Sequence, residues 1–289
     1  MELKVRPSPI AGQWYPADSR RLSASVDGYT RSAQIPELEG DVVAIMAPHA
    51  GHRYSGPVAG YAFAALRGKS PELVAVISPM HYPYAEPLLT TTRSAYATPL
   101  GEIPVDRAAI QSLDDCLIAK LGYGLAQVSN DPEHSLEIEL PFLQRVLEAP
   151  FQLLPVMVRD QSQRVVKALG ESLAQVLADR SAVLVASTDL SHFYPQTVAR
   201  TLDGEMLRQV QAFNPTGVLE IEEQGKGFAC GRGALAAVLW AAKGLGADHA
   251  QVLNYATSGD VTGDFSQVVG YGAAVFTRQA TGAGNNQTA

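Results

Sequence analysis

Residues 42–56 read VVAIMAPHAGHRYSG, an apolar run followed at once by a segment rich in proline, histidine and glycine. The run over residues 42–46 is apolar throughout, as expected of a strand that is covered on both faces of a sheet. His49 follows directly, where that strand should end. Because the carboxyl ends of parallel strands form the ligand-binding mouth of an open α/β sheet, we expect His49 to face such a mouth.

The same apolar pattern recurs along the chain and alternates with amphipathic segments. Strands are predicted over residues 42–46, 73–77, 153–158, 182–186, 250–255 and 268–277. Helices are predicted over residues 57–66, 132–147, 162–177, 202–213 and 231–243. Such alternation indicates an α/β protein. We therefore expect one domain, residues 1–279, with a largely parallel or mixed central sheet flanked by helices, and a disordered tail over residues 280–289.

The predicted helix over residues 132–147 has the clearest start signal. Asp131 is suited to accept hydrogen bonds from free N–H groups at a helix start, and Pro132 suits the first helical position. Pro141 lies inside the predicted helix, where it would remove one hydrogen bond. We therefore expect a helix that begins at Pro132 and is kinked near Pro141.

Composition and charge exclude several classes of protein. With 46% hydrophobic and 18% charged residues among 289, the chain is expected to fold around a core. Its 22 basic and 29 acidic residues give a net charge of −7, which disfavours nucleic-acid and anionic-membrane surfaces. No apolar run is long enough to span a bilayer, and the first ten residues lack the apolar stretch of a signal peptide. We therefore expect a soluble, cytoplasmic protein in which Cys116 and Cys230 are free thiols.

Histidines follow several of the predicted strands. His81 lies in SPMHYPY, after the strand over residues 73–77, in the same topological position as His49. Asp189 and His192 lie in STDLSH, after the strand over residues 182–186, three residues apart. A carboxylate and an imidazole at such a place bind a metal, relay a proton or orient one another.

Two further residues are candidates for the same cleft. Cys230, in FACGRGAL, lies where a helix is predicted to begin, and the positive end of a helix favours the thiolate form. A thiolate is a strong ligand for soft metals. His134 lies near Glu133 at the predicted helix start, where it is placed to donate to a bound oxygen or to substrate.

Each candidate also has an ordinary structural interpretation. A single histidine after a strand is more often hydrogen-bonded within the fold than bound to a metal. Cys230 also fits an inert, buried thiol, Asp189 a cap, and His134 a first-turn residue. We expect His52 and His249 to be surface or structural residues.

Other catalytic motifs are absent from the sequence. It contains no phosphate-binding loop with a lysine, no CxxC pair, no HExxH and no GxSxG. The loop SGDVTGD, residues 258–264, carries aspartates that suit either a bound cation or simple turn formation.

Several segments, taken together, resemble the Memo family, which includes the bacterial and archaeal AmmeMemoRadiSam system protein B. The resemblance covers residues 9–277. Its segments, in order, are AGQWYP, APHAGHRYSG, SPMHY, EHSLEIELPFL, STDLSH, CGR and LNYATSGDVTGD.

The resemblance implies an α/β fold like that of class III extradiol dioxygenases, which use non-haem iron(II). It also implies an iron or copper ion surrounded by His49, His81 and Cys230, with Asp189 and His192 beside it. Zinc also suits such ligands. Radical-SAM and other AmmeMemoRadiSam components are implied as candidate partners, and animal relatives are linked to phosphotyrosine peptides.

The sequence departs from these patterns in two respects. The dioxygenases use two histidines and a carboxylate, whereas the third ligand implied here is the thiolate of Cys230, which is softer and oxidisable. His52 replaces a tyrosine common in APHAGY, while Met80 and Tyr82 flank His81 where relatives often have a small polar residue and a second histidine. We therefore expect a more apolar pocket.

These observations lead to a metal-dependent redox hypothesis, with two alternatives. In the first, His49, His81 and Cys230 hold iron(II), Asp189 orients His192 as the acid–base group, and His134 lines the pocket. In the second, the cleft binds a peptide or partner without catalysis, and Arg53 and Arg232 are the nearest cations for a phosphate. In the third, the protein stores or delivers metal. The substrate and the oligomeric state are not indicated by the sequence.

Overall fold

A mixed sheet of nine strands forms the centre of the computed structural model, which describes residues 5–129 and 131–279. The strands of the described residues are β1 (Val5–Arg6), β2 (Asp41–Ala47), β3 (Leu73–Pro79), β4 (Leu88–Thr91), β5 (Ala95–Thr98), β6 (Gly101–Pro104), β7 (Ala126–Val128), β8 (Gln152–Val158), β9 (Ala182–Ser187), β10 (His192–Tyr194), β11 (His249–Thr257) and β12 (Val268–Arg278). The sheet order is β10-β12-β2-β9-β3-β8-β4-β7, with β11 paired to β12. A second sheet has the order β1-β5-β6.

The helices lie between these strands. They are α1 (Ser19–Ser32), α2 (His52–Ala64), α3 (Arg107–Leu121), α4 (Leu140–Val146), α5 (Gln163–Leu177), α6 (Gln196–Gln211), α7 (Pro215–Glu223), α8 (Arg232–Gly244) and the short α9 (Gly259–Thr262). In the part of the chain that the structure describes, no helix is both long and apolar enough to cross a membrane.

The four strands β2, β9, β3 and β8 pair in parallel and form the buried middle of the sheet. Every residue of β3 is buried, because helices cover both faces of the parallel strands. One helical layer contains α2 with α1 and α4, and the other contains α8 with α5 and α3. The antiparallel strand β12 extends the sheet beside β2. The predicted α/β class with a mixed central sheet flanked by helices is confirmed.

The six predicted strands are all present, with ends shifted by one or two residues. Their apolar runs were sufficient to predict them, because both faces of these strands are buried in the core. Strands β1, β4 to β7 and β10 were not predicted, because they are only two to four residues long, and all but β4 lie at an edge of the main sheet or outside it. The tail predicted over residues 280–289 lies outside the described residues.

The prediction of a helix over residues 132–147 is wrong in its first half. Residues 131–136 are irregular, a single 3₁₀ turn covers Glu137–Glu139, and α4 begins only at Leu140. Asp131 does not cap a helix, because its carboxylate binds the buried guanidinium of Arg6 at 2.8 Å. Pro141 lies in the first turn of α4, where its missing N–H is not needed, so it causes no kink there.

Two other predicted helices begin at the wrong residue. The helix predicted from residue 57 begins at His52 and contains Pro57 in its interior, and the one predicted from residue 202 begins at Gln196. In both cases the first helical turn follows soon after a strand. Apolar residues at helical spacing begin only later in the sequence. The predictions over residues 162–177 and 231–243 agree with α5 and α8 to within one residue.

Candidate metal centre

Three histidines from distant parts of the chain meet at the carboxyl edge of the parallel strands. His49 follows β2, His81 follows β3, and His134 lies in the irregular segment before the 3₁₀ turn. One nitrogen from each ring lies within 4.8 Å of the others. The ring centroids of His49 and His81 are 5.3 Å apart, and those of His81 and His134 are 4.9 Å apart. The predicted meeting of His49 and His81 is therefore present, and His134 joins them.

The buried ring of His49 is held in one tautomer by a chain of hydrogen bonds. The Ser187 hydroxyl donates to the Ser135 carbonyl at 2.6 Å, so it is free to accept from Nδ1 of His49 at 2.9 Å. Nδ1 therefore carries the proton, and Nε2 presents a lone pair to the cleft. Burial, together with the neighbouring histidines, holds the pKa of His49 well below its usual value. The ring is neutral at physiological pH.

Glu133 orients both of the other histidines. Its carboxylate accepts hydrogen bonds from the amide and the Nδ1 of His81, at 2.6 and 3.0 Å, and lies 3.3 Å from Nδ1 of His134. Burial alone would raise the pKa of Glu133, but the contacts with His81, Ser135 and His134 lower it to about 2. A carboxylate on Nδ1 fixes Nε2 as the free nitrogen, a common arrangement behind metal-bound histidines.

Cys230 lies beside the histidines, just before α8. Its Sγ is 3.2 Å from Nε2 of His49, and its amide donates to the carbonyl of Asp189 at 3.2 Å. The expected effect of the helix start on the thiol is not found, because burial and the Asp189 carboxyl raise the pKa of Cys230. In the protein alone this side chain is a thiol, and it donates its proton toward His49.

Asp189 and His192 occupy the same edge of the sheet but do not form the expected pair. Asp189 accepts from the amides of His49 and Ala50 at 2.7 and 3.3 Å, so it holds the loop after β2. Burial raises the pKa of Asp189 to about 7. Nδ1 of His192 instead donates to the Leu190 carbonyl at 2.8 Å. The prediction that Asp189 orients the His192 ring is therefore wrong.

His192 lies at the same edge of the sheet, where its ring contacts Phe193 and Phe228. Burial lowers the pKa of His192. Because Nδ1 is committed to a carbonyl, Nε2 of His192 is a hydrogen-bond acceptor at neutral pH. His192 is therefore suited to take a proton from a ligand in the cleft.

The remaining histidines have structural roles, as expected. Nε2 of the buried His52 donates to the Ile138 carbonyl at 2.9 Å, and burial lowers the pKa of His52 to about 4. His249 is exposed at the first position of β11.

A cavity of about 520 Å³ adjoins the histidines. Its wall includes Ala50, directly after His49, and Trp14, whose ring is centred 4.0 Å from that of His134. Tyr271 of β12 also lines it. The expectation of a rather apolar pocket agrees with these walls, although Met80 and Tyr82 are not among the lining residues.

The loop over residues 258–264 uses its aspartates for turn formation. Asp260 accepts from the amide and hydroxyl of Thr257, at 2.7 and 3.0 Å. Asp264 accepts from the amide and hydroxyl of Ser266, at 2.9 and 2.6 Å. Of the two expectations for this loop, these contacts favour the turn.

Sequence reasoning missed several residues of the site. Glu133 was noted only as a neighbour of His134, and Ser187, Trp14 and Tyr271 were not considered. The one available signal was the pair Glu133 and His134, since a carboxylate next to a candidate ligand is a common orienting group. Ser187, Trp14 and Tyr271 reach the site only through contacts between residues far apart in the sequence.

The donors assembled here fit a transition-metal ion. His49, His81 and His134 have Nδ1 engaged by an acceptor or lying close to one, which leaves Nε2 available. The separation of 3.2 Å between Cys230 Sγ and His49 Nε2 approaches the roughly 3.6 Å expected for N and S ligands of one tetrahedral ion. Nitrogen and sulfur donors suit iron, copper or zinc.

Comparisons with known proteins assign this chain to a family. The model of the family described as "Memo-like protein" matches residues 6–275. A MEMO1 family protein of Methanopyrus kandleri is 36% identical, and one of Nitrosopumilus maritimus is 34% identical; each alignment covers 94% of this chain and 99% of the relative. A crystal structure of an uncharacterized Escherichia coli K12 protein shares the fold, with a TM-score of 0.53, 15% identity and coverage of 81% of this chain and 100% of that chain. Since the family model and the two archaeal relatives match nearly the whole length of this chain, the chain belongs to the Memo family.

Proposed function

We propose that this protein is a metal-dependent redox protein, of the dioxygenase-like type, in which His49, His81 and Cys230 hold iron(II). The proposal is supported by the convergence of the imidazoles of His49, His81 and His134, with the Cys230 thiol beside His49. The resemblance to iron(II) dioxygenases favours iron, while the sulfur ligand also suits copper. Binding would require Cys230 to lose its proton, since a metal ligates the thiolate.

The surrounding residues have separate proposed roles. When bound, the iron would supply electron transfer to oxygen and polarisation of a substrate group. His192 accepts a proton from the substrate through Nε2, because its Nδ1 is bound to the Leu190 carbonyl. His134, whose pKa is lowered to about 4 by burial, lies neutral behind Trp14 as a second proton acceptor. Asp189 holds the backbone of His49 in place.

The arginines considered for phosphate capture do not favour a phosphopeptide-binding module. Arg232 lies 3.4 Å from the carboxylate of Glu222. Arg53 lies over the ring of Tyr54, with its guanidinium carbon 5.8 Å from the centroid. Neither lines the cavity beside the histidines. A doubly charged phosphate would therefore find no free cation among the lining residues.

The test is metal analysis after anaerobic purification, with iron, copper and zinc measured separately. We expect about one iron per chain in the wild-type protein. The variants His49→Ala, His81→Ala and Cys230→Ala should each lose most of it, because each removes one of three ligands. His249→Ala is the matched control, since it removes an exposed histidine far from the centre in sequence.

The variant His134→Ala separates two ligand sets. If Cys230 is the third ligand, His134→Ala keeps its iron and loses proton transfer, whereas Cys230→Ala loses the iron. The reverse pattern would replace Cys230 by His134 as third ligand. Full occupancy in His49→Ala and His81→Ala would overturn the metal centre altogether.

A further inference from the structure

Four aromatic residues surround the cavity beside the histidines. Trp14, Tyr54, Phe193 and Tyr271 come from four different segments and all line it. Within the described residues, these rings form no ring contact with one another. Three of the rings have a partner outside the cavity wall: Trp14 stacks on His134, Phe193 meets His192 edge-on, and Arg53 lies over Tyr54. Phe193 is 68% exposed and has a positive φ of 63°, a costly arrangement for an apolar side chain that serves only packing.

The cavity lies beside the proposed centre, although none of the site histidines is among its lining residues. Trp14 separates it from His134, against whose ring it stacks at 4.0 Å. Ala50 connects it with His49 along the chain. Burial, and after it the carboxyl of Asp189, raise the pKa of the Tyr271 phenol in the cavity wall. A molecule in this cavity would therefore lie against Trp14 and Ala50, the lining residues that contact His134 and follow His49.

The charge of the cavity wall is negative. Asp264 is the one ionisable acid or base among the lining residues other than the tyrosines, and no lysine or arginine lines the cavity. Hydrogen bonds from the hydroxyl and amide of Ser266 lower the pKa of Asp264, so its carboxylate is charged at neutral pH. The remaining polar lining residues, among them Gln13 and Gln267, are uncharged.

We propose that this cavity binds a small aromatic amine in its ammonium form, as the substrate class of the proposed metal centre. Aromatic faces attract a cation that lies within about 6 Å, and the carboxylate of Asp264 adds a counter-charge. The ring of the amine packs against the apolar part of the cavity wall. The same wall disfavours carboxylates and phosphates, because they meet π faces and a carboxylate but no cation. This inference rests on the proposed function for the chemistry, but the binding it requires is independent of the metal.

The test compares three compounds that share one ring and differ in charge: tyramine, 4-ethylphenol and 3-(4-hydroxyphenyl)propionate. Their affinities are measured by calorimetry on the full chain, with and without iron(II), in the absence of oxygen. We expect tyramine to bind at least about tenfold more tightly than 4-ethylphenol, and the propionate to bind most weakly.

Two variants locate the site. Asp264→Asn should remove most of the preference for tyramine while leaving the affinity for 4-ethylphenol unchanged, since only the counter-charge is lost. Phe193→Ala should weaken both compounds, and its exposure makes misfolding no concern. Circular dichroism of each variant checks the fold.

Binding of the propionate as tight as that of tyramine, or no binding of any of the three, would overturn the inference. So would a tyramine preference that survives in Asp264→Asn. Iron occupancy is measured on the same samples. A protein that holds iron but shows no amine preference overturns only the substrate class. A protein that shows the amine preference but takes up no iron when iron(II) is supplied overturns only the metal centre.

Discussion

A histidine serves as a ligand only if the correct ring nitrogen is free, and in this protein that choice is made by its hydrogen-bond partners. Ser187 accepts a hydrogen bond from Nδ1 of His49, and Glu133 accepts one from Nδ1 of His81. Glu133 also lies beside His134, so one buried carboxylate orients two rings. Ser187 and Glu133 therefore matter nearly as much for metal binding as the rings that they orient.

The first prediction concerns Glu133. Glu133→Gln removes the charge that orients His81 and His134, so metal affinity should fall by roughly 10- to 100-fold, as for other groups behind metal ligands. Titration with iron(II) under anaerobic conditions measures this. Glu148→Gln, an exposed substitution of the same kind, should leave the affinity unchanged. An unchanged affinity in Glu133→Gln would show that the carboxylate does not act on the centre.

His52 gives a prediction about pH. Its folded pKa is about 4 and the ordinary value is 6.5, so between these values the unfolded chain binds a proton that the folded protein does not. The free energy of unfolding should therefore fall as the pH is lowered, by about 2 kcal/mol between pH 7 and pH 5 from this residue.

The measurement is urea unfolding of the wild type and of His52→Gln at both pH values. Glutamine keeps a donor for the Ile138 carbonyl but does not titrate, so the variant should lose less stability on acidification than the wild type. Equal losses in the two proteins would contradict the assigned pKa.

At the scale of elements, the site depends on how closely α1 and α2 approach each other, since α2 follows directly from the His49 loop. A Cβ added at Gly60 in α2 would lie 2.6 Å from the Tyr29 carbonyl oxygen of α1. The obstacle is backbone, which cannot move without separating the helices. Gly204 in α6, by contrast, has no atom within 4 Å of such a Cβ.

This pair of glycines gives a matched prediction. Gly60→Ala should lower the free energy of unfolding by about 1–3 kcal/mol, because the helices must move apart. Gly204→Ala should raise it by about 0.5–1 kcal/mol, since alanine is the better helix former and the space is open. Chemical denaturation of the two variants decides the matter. A stabilised Gly60→Ala protein would mean that the helices do not cross so closely.

The irregular segment over residues 131–136 is a second element on which the site depends. Arg6 is 2% exposed and binds the carboxylates of Asp131 and Glu137 at 2.8 and 2.5 Å. These contacts hold the chain on both sides of Glu133 and His134. They explain why the segment is not helical, since the helix-capping carboxylate of Asp131 is already engaged.

For the whole molecule, metal binding and folding should be coupled. The proposed ligands come from β2, β3 and the start of α8, so they assemble only in the folded chain. Iron(II) should therefore raise the free energy of unfolding, by about 2.7 kcal/mol at 100 times its dissociation constant. His49→Ala should show no such increase.

The same coupling has a pH dependence. Because burial raises the pKa of the Cys230 thiol, a proton must be released when a metal binds. Metal affinity should therefore increase as the pH rises, and this dependence should be weaker in Cys230→Ser. Anaerobic thermal unfolding with iron(II) at pH 6.5 and 8.5 provides the measurement. A pH-independent stabilisation would argue against a thiolate ligand.

The α/β class, the central strands and the meeting of His49 and His81 at one sheet edge were predictable from the sequence. Burial of both faces leaves a local record, since a strand such as β3 must be apolar at every position. Strand ends at one sheet edge then bring histidines together by topology. The Memo resemblance rested on segments in order and was confirmed by the family comparison.

The remaining features depend on contacts between residues far apart in the sequence. The local sequence predicts that Asp131 caps a helix, but its carboxylate binds Arg6, which is 125 positions away. Asp189 was paired with the nearby His192, yet it binds the amide of His49, 140 positions away. Local sequence patterns indicate which face of an element is buried. They do not indicate which of several possible hydrogen-bond partners a polar side chain will have. The fold selects one of them by bringing it within hydrogen-bonding distance in a site closed to water.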